Sequence, residues 1–528
     1  MPELEKIRLA KAAGVVSGAT LLSRILGFAR DIVIAKYFGA GLYSDAFFVA
    51  FRIPNIFRRL FAEGSLSISF IPVFSEYLVR KGKDEAFKLA GSAVRLLSVI
   101  LVAVTITGII ISPVIVRLIA PGFIDDPGKY TLTVSLTRIM FPYIFFICLT
   151  ALFMGILNVL GNFAAPAFAP VLLNLSMITA LLFVSPHTGE SARILAFGVL
   201  AGGFLQLMLQ VPFIIKKGVS FWNKTEMYHP GLKKIWALMF PAIFGAAVYQ
   251  INTFIGTILA SVLPEGSVSY LYYADRLVQF PLGVFAIAAA TAIFPSLSRQ
   301  ASENDMTSIR DTFSYSMRMV FFITMPCMAG LIILREPIIM LLFKRGEFNT
   351  QTVRLTAQAL LYYSIGLWAF SSVRIIIAVF YALNDTKTPV RIAVVSLLTN
   401  IVLSLLLMIP LKHGGLALAN SLSSILNVIL LYRALGIKLG PLDDNKLKKA
   451  VIKIAACSVI MGGIVWMLAS VIIPAENISF NYLFLTVSCC ILTGIISYCF
   501  FSYLLNSNEI RNLFARAGRD EIAGDEKA

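Results

Sequence analysis

Residues 17–74 read SGATLLSRILGFARDIVIAKYFGAGLYSDAFFVAFRIPNIFRRLFAEGSLSISFIPVF. Two long apolar runs fill this stretch, and inside them stand Arg24, Arg30, Asp31, Asp45, Arg52, Arg58, Arg59 and Glu63. A charge in the hydrocarbon core of a bilayer costs at least ~2.5 kcal/mol, even on the lenient insertion scale. Eight of them in two adjacent segments need a compensating environment. A water-filled, net cationic cavity that receives an anion supplies one.

Working outward, the rest of the chain is equally apolar. Of 528 residues, 58% are hydrophobic and only 14% charged, against about 25% charged in a soluble domain. The chain therefore reads as an all-α polytopic membrane protein. Runs of roughly 20 apolar residues suffice to cross a bilayer. Fourteen are expected, at 14–37, 44–78, 88–118, 131–158, 166–184, 193–215, 235–263, 268–297, 313–334, 352–382, 392–410, 415–436, 450–473 and 482–505. Pro54, Pro281 and Pro326 are expected to bend their helices. The segment 337–348 reads as a short interfacial helix.

The net charge of +17 is not a nucleic-acid signature, because the Lys and Arg are scattered over short loops. With an even number of spans, both termini share one side. That side carries about 25 basic residues against about 7 on the other, so both ends are expected in the cytoplasm. No loop is long enough for an extramembrane domain. The six cysteines show no CxxC spacing, and His187, His229 and His413 fall in loops, so no metal site is expected. The N-terminal apolar segment reads as a retained first helix.

The chain also repeats itself. Tyr43-Ser44-Asp45-Ala46-Phe47 is matched by Tyr273-Ala274-Asp275-Arg276-Leu277, and Ile71-Pro72-Val73-Phe74-Ser75 by Phe294-Pro295-Ser296-Leu297-Ser298. Leu160-Gly161-Asn162-Phe163-Ala164-Ala165-Pro166 is matched by Leu383-Asn384-Asp385-Thr386-Lys387-Thr388-Pro389. The period holds six spans, an even number, so both copies point the same way. The expected architecture is two six-helix lobes around a central cavity, 1–218 and 219–436. Residues 437–528 add two helices and a cytoplasmic tail. Such lobes suit alternating access around a midplane site.

Helical geometry sharpens the charge argument. At 100° per residue, Asp45, Arg52, Arg59 and Glu63 fall within about 40° of one another and rise over about 27 Å. Arg24 and Asp31, seven apart, share a face, and Arg30 is displaced from it by about 120°. Asp275 and Arg276 are the second lobe's contribution. The acids Asp31, Asp45 and Glu63 hold some arginines in place and leave others for a ligand. Arginine makes bidentate bonds to phosphate and stays charged, so the expected ligand is a phosphate or pyrophosphate.

These residues resemble a known family. Ser23-Arg24-Ile25-Leu26-Gly27-Phe28-Ala29-Arg30-Asp31, then Ser44-Asp45-Ala46-Phe47-Phe48, Arg52-Ile53-Pro54-Asn55 and Arg58-Arg59-Leu60-Phe61-Ala62-Glu63-Gly64 are similar to the MurJ/MviN family. So are Tyr272-Tyr273-Ala274-Asp275-Arg276-Leu277 and the Lys387-Thr388-Pro389 turn. The resemblance implies a lipid II flippase of the bacterial inner membrane, within the multidrug/oligosaccharidyl-lipid/polysaccharide exporter superfamily. Its cargo would be undecaprenyl-pyrophosphate carrying a disaccharide-pentapeptide. It implies functional arginines at Arg24, Arg30, Arg52 and Arg276, a functional acid at Asp45, and a groove for the polyprenyl tail on the last two helices. Many relatives have Lys where this chain has Arg52, and some have an acid where it has Gln279.

Competing functions fit less well. A cation exporter prefers carboxylates where arginine dominates here. A flippase for another polyprenyl-pyrophosphate-linked glycan would meet the same anion and stays open. A membrane glycosyltransferase usually needs metal-binding acids, and the adjacent pairs Asp125-Asp126 and Asp443-Asp444 are isolated in loops. A transporter, not an enzyme, is expected. Its partners would be lipid II, membrane lipids and cell-wall synthesis proteins, with no nucleic acid. No Walker motif is present, so no cofactor is expected. Coupling to the membrane potential or an ion gradient is expected instead.

Overall fold

The computed structural model describes residues 3–59, 66–219, 228–442, 444–473, 479–507 and 509–510. Glu63 lies outside them, as do most of the Pro474–Asn481 loop and residues 511–528 of the tail. Among the described residues the chain is helical, with no strand. The first helices are α1 (Glu3–Phe38), α2 (Leu42–Phe57), α3 (Leu66–Arg80), α4 (Lys83–Ile119), α5 (Pro127–Met140), α6 (Tyr143–Val159), α7 (Ala164–Thr179), α8 (Ser191–Lys216) and α9 (Pro230–Ser261). Then come α10 (Ser267–Pro281), α11 (Ile287–Ser302), α12 (Met306–Ile333), α13 (Arg335–Phe343), α14 (Thr350–Ile365) and α15 (Leu367–Ala382). The last are α16 (Lys387–Leu411), α17 (His413–Leu439), α18 (Asp444–Ile472) and α19 (Phe480–Leu504). Each expected span contains helix. Among the described residues, ten spans are long and apolar enough to cross a membrane, or eleven if the bent pair α14–α15 counts as one. The interfacial segment forms α13, which buries Ile339 and Phe343.

Two compact units emerge, one of Met1–Ser269 with Arg345–Phe348, the other of Tyr270–Lys344 with Asn349–Ala528. The repeat predicts a boundary at 218/219, which would group α9 with the second half. By contacts, α9 groups with the first unit and bonds to it along its length. Lys234 pairs with Glu76, and His229 Nε2 meets Glu85 at 3.1 Å. Thr257 accepts from Arg52, and Ser261 Oγ accepts from Gly122 N at 3.3 Å. No sequence period reports such cross-helix bonds.

Packing in lipid gains little from the hydrophobic effect between helices, so close approach and van der Waals contact matter more. In the first unit α8 presents Gly202 to α7, where a Cβ would stand 2.8 Å from the Leu173 side chain. Phe47 stacks on Phe51 at 5.5 Å, and Phe70 on Phe74 at 5.4 Å. In the second unit α18 and α19 pack beside α12. Tyr498 on α19 donates its hydroxyl to the Phe322 carbonyl at 2.7 Å, a bond that fixes the register of the two helices.

The repeat is visible in backbone detail. Gly161 and Asn384 both adopt positive φ, +76° and +57°. The next residue then donates its N–H five residues back, Asn162 to Leu157 at 2.8 Å and Asp385 to Phe380 at 2.9 Å. Each turn is also held by a lysine at the end of the sixth span of its copy. Lys217 Nζ donates to the Leu160 carbonyl at 2.9 Å, and Lys438 Nζ to Asp385 at 2.7 Å. The Lys438 ammonium, helped by the Thr388 N–H, holds the Asp385 carboxyl well below the usual carboxylate range.

Helix interruptions follow local causes. Pro281 is followed by a wide, π-type turn over Leu282–Ala286, and residues 58–59 after Pro54 form a similar turn. α12 carries Pro326 without a break in its helical run. The bend between α14 and α15, 41°, comes without proline. Ser421 on α17 donates its hydroxyl to the Tyr362 carbonyl at 2.7 Å. Gly366 N bonds Tyr363 O instead, at 3.1 Å. A side chain inserted into the ladder in this way kinks a helix. Position 366 must be glycine for the approach, because a Cβ there would lie 2.6 Å from Ser421 Oγ.

Candidate functional site

The charges of the first unit sort into three groups. Arg30 and Asp31 are both buried, at 5% and 1% exposure. Arg30 folds back on its neighbour, with Nε and Nη2 donating to Asp31 Oδ1 at 3.0 and 2.7 Å. Its Nη1 donates to Asn174 Oδ1 on α7 at 3.0 Å. Asn174 Nδ2 in turn donates to the Ser23 carbonyl at 3.1 Å. One amide thus staples α1 at two points, and Arg30 is held from both sides. Arg24 is exposed, with no partner among the described residues. The face expected for Arg24 and Asp31 together is therefore split, because Asp31 is enclosed at the Arg30–Asn174 contact and Arg24 is not.

Asp45 forms the second group. Its carboxylate is 1% exposed and accepts four bonds. Lys129 Nζ donates to Oδ2 at 2.8 Å and Gly266 N at 2.8 Å. Ser269 N and Oγ donate to Oδ1 at 3.0 and 2.7 Å. Gly266 immediately precedes α10 and Ser269 lies in its first turn, where a negative charge also meets the helix dipole favourably. Lys129 on α5 is itself buried and lies over the Phe123 ring at 4.2 Å. A buried pair needs further hydrogen bonds to offset its desolvation, and here the three additional donors on the Asp45 carboxylate supply them. In this arrangement Asp45 ties α2, α5 and the start of α10 together.

The third group lies further along the stripe. Arg52 is half-buried and donates Nη1 to Thr257 Oγ1 on α9. Thr257 donates its own hydroxyl hydrogen bond to the Thr253 carbonyl at 2.9 Å, so its oxygen is oriented as an acceptor for the guanidinium. Arg58 donates Nε to Asn55 Oδ1 at 3.2 Å, and Arg59 is exposed. In the second unit Arg276 donates Nη2 to the Tyr272 hydroxyl at 3.1 Å and lies over that ring at 5.2 Å. Gln279 reaches Asp275 Oδ1 at 3.5 Å.

Sequence reasoning missed Lys129, Asn174, Thr257 and Arg374. Lys129 is a lone basic residue next to Asp125-Asp126, and its partner lies 84 residues away. Asn174 and Thr257 are uncharged polar residues in apolar runs, a signal shared with many satisfied serines and threonines. Arg374 could have been found, because it is the one charge between Leu367 and Ala382. It is exposed on α15, and no ion pair or hydrogen bond reaches it among the described residues. Among the described residues no cluster of His, Cys, Asp and Glu could hold a metal.

Arginines carried on apolar helices, some fixed by neighbours and some exposed, can bind a phosphate-bearing group. Residues 34–487 match the family model described as lipid II flippase MurJ. The chain is 42% identical over 435 residues to a probable lipid II flippase MurJ of Vibrio cholerae, covering 81% of this chain and 83% of that one. It is 39% identical over 434 residues to a lipid II flippase MurJ of Burkholderia cenocepacia, covering 81% and 84%. Among solved structures it is similar to a lipid II flippase MurJ in an inward closed conformation. That match has a TM-score of 0.78 and 30% identity, and covers 94% and 99% of the two chains. An inward-facing multidrug transporter of the MATE family and MOP superfamily shares the fold, with a TM-score of 0.68 at 15% identity over 83% and 99%.

Proposed function

Because the chain belongs to the lipid II flippase MurJ family, we propose that it carries the peptidoglycan precursor lipid II across the bacterial inner membrane by alternating access. The cargo moves from the cytoplasmic to the outer leaflet. The observation that carries this reading is the family match over residues 34–487, on a chain whose apolar helices contain Arg24, Arg52 and Arg276. These three arginines capture the pyrophosphate. The Arg30–Asp31–Asn174 network and the Asp45–Lys129 pair keep α1, α2, α5 and α7 in register, so that Arg24 and Arg52 present their charge where the head group arrives.

The polyprenyl tail stays in lipid. Each CH₂ brought into water would cost about 0.8 kcal/mol, so only the head group enters a wet path. Both termini face the cytoplasm, as the loop charges favour. The protein performs no chemistry on its cargo, and the membrane potential or an ion gradient drives the cycle. Lipid II is its partner, together with the surrounding lipids and the enzymes of wall synthesis.

Genetic replacement tests this reading. The gene is placed in a bacterium depleted of its own lipid II flippase, beside Arg24→Ala, Arg52→Ala and Arg276→Ala, with membrane levels checked. Wild type restores growth and lipid II on the outer leaflet, and well-expressed variants do not. A well-inserted wild type that fails would shift the cargo to another polyprenyl-pyrophosphate-linked glycan. Rescue by all three variants would remove the arginines from the site.

A further inference from the structure

A cavity of about 480 Å³ lies in the second unit between α11 and α12, with Ala292 and Ile293 as apolar wall and Ser296, Asp311, Thr312 and Tyr315 among its polar groups. Its charged group is Asp311, which is exposed and held by no ion pair or hydrogen bond among the described residues. The neighbouring arginines on α12 are engaged elsewhere. Arg310 Nε donates to the Leu439 carbonyl at 2.7 Å, and Arg318 pairs with Glu509 at 3.5 Å. Arg299, three residues beyond Ser296, does not line the cavity.

Outside the lining, Gln300, one turn beyond Ser296 on α11, donates Nε2 to Thr312 Oγ1 at 3.0 Å and fixes that hydroxyl at the cavity edge. The cavity's own polar groups are a carboxylate and hydroxyl oxygens, and the carboxylate is an acceptor without a donor among the described residues. A primary ammonium is the group that brings both positive charge and three N–H donors, with no acceptor of its own.

Depth narrows the ligand further. Ser296 lies six residues from the end of α11 and Asp311 five from the start of α12, about 8–9 Å from the helix ends. That is close to the level where lipid head groups meet the hydrocarbon. The wall of Ala292 and Ile293 suits the first carbons of an acyl chain or glycerol.

We propose that this cavity binds the primary ammonium group of an amphiphile at the membrane surface, with Asp311 as its counter-ion and Ser296 and Thr312 as hydrogen-bond acceptors. Two molecules can present that group, an aminophospholipid or a cargo whose peptide carries a free amine. The second source rests on the proposed function and the first does not.

The test titrates the full-length protein with single lipids and counts bound molecules by native mass spectrometry. Phosphatidylethanolamine binds more tightly than phosphatidylcholine, whose quaternary nitrogen has no N–H, and more tightly than phosphatidylglycerol. Asp311→Asn weakens phosphatidylethanolamine about five- to tenfold, as expected for a lost charge-assisted bond, and leaves phosphatidylglycerol unchanged. Ser296→Ala weakens it about twofold. Both variants keep the wild-type melting midpoint. A second arm repeats the titration with lipid II, its peptide amine free or acetylated. A loss in Asp311→Asn confined to phosphatidylethanolamine assigns the site to membrane lipid. A loss confined to the free-amine cargo assigns it to the cargo. Equal binding by wild type and Asp311→Asn in both arms overturns the proposal, as does phosphatidylcholine binding as well as phosphatidylethanolamine. Failure here leaves the flippase reading to its own genetic test.

Discussion

Asp45→Asn is expected to damage the first unit more than a one-atom change suggests. The substitution keeps an oxygen for Ser269 but turns an N–H₂ toward Lys129 Nζ and Gly266 N, both of which now donate to Oδ2 at 2.8 Å. Lys129 then becomes a buried charge without a counter-ion, which costs about 3–5 kcal/mol. The Gly266 N–H adds about 1–3 kcal/mol as a buried donor without an acceptor. Lys129→Met is milder, because Asp45 keeps three donors and the thioether can lie over Phe123. It is expected to cost about 2–3 kcal/mol. The double variant holds no buried charge and retains only the Gly266 defect. It should therefore be about 3–5 kcal/mol more stable than Asp45→Asn alone, the cost of the unpaired Lys129 charge. The assay is a double-mutant cycle of unfolding in mixed detergent micelles, with helicity as the signal. A double variant as unstable as the sum of its parents would refute the reasoning.

Other outcomes follow from the same contacts. Asn174→Leu strips Arg30 of one acceptor and Ser23 of one donor, and should lower stability by about 1–3 kcal/mol in the same assay while reducing lipid II export. Thr257→Val removes the oriented acceptor of Arg52; lipid II binding should weaken about three- to tenfold with no change in melting midpoint. Ser421→Ala frees the Tyr362 carbonyl to bond Gly366 N, so spin labels at the two ends of α14–α15 should report a straighter span than the 41° bend. Asp385 has a folded-state pKa below its unfolded value near 3.8, so its pairing stabilises the fold above about pH 4 and fades as pH falls through the depressed value. The stability gap between wild type and Asp385→Asn should be constant near neutral pH and close only in acid.

Much of the fold was legible because lipid imposes a strong constraint. A segment such as Gly415–Gly436 must be helical to satisfy its backbone in hydrocarbon, and its length follows from the bilayer. The turns at Gly161 and Asn384 were legible because the sequence repeats there and both positions adopt positive φ. The contacts of α9 were not legible, since its bonds run from Thr257 to Arg52 and from Lys234 to Glu76, pairs set by packing and not by spacing. The bend at Gly366 depends on Ser421, 55 residues later. Of the charged stripe, the presence of Arg24, Arg30, Asp31, Asp45 and Arg52 on apolar helices was readable. Their division into buried pairs and open groups was not, because it depends on Lys129 and Asn174, neighbours that only the folded chain supplies.

Transport by the purified protein is the most direct test of the central claim. The full chain is reconstituted into liposomes carrying lipid II in one leaflet, and a membrane-impermeant reagent reads the head group in the other, with and without an imposed membrane potential. The account predicts protein-dependent appearance of intact lipid II, lost in Arg24→Ala and Arg52→Ala. Liposomes in which the correctly folded protein moves no lipid II under any imposed gradient would contradict it.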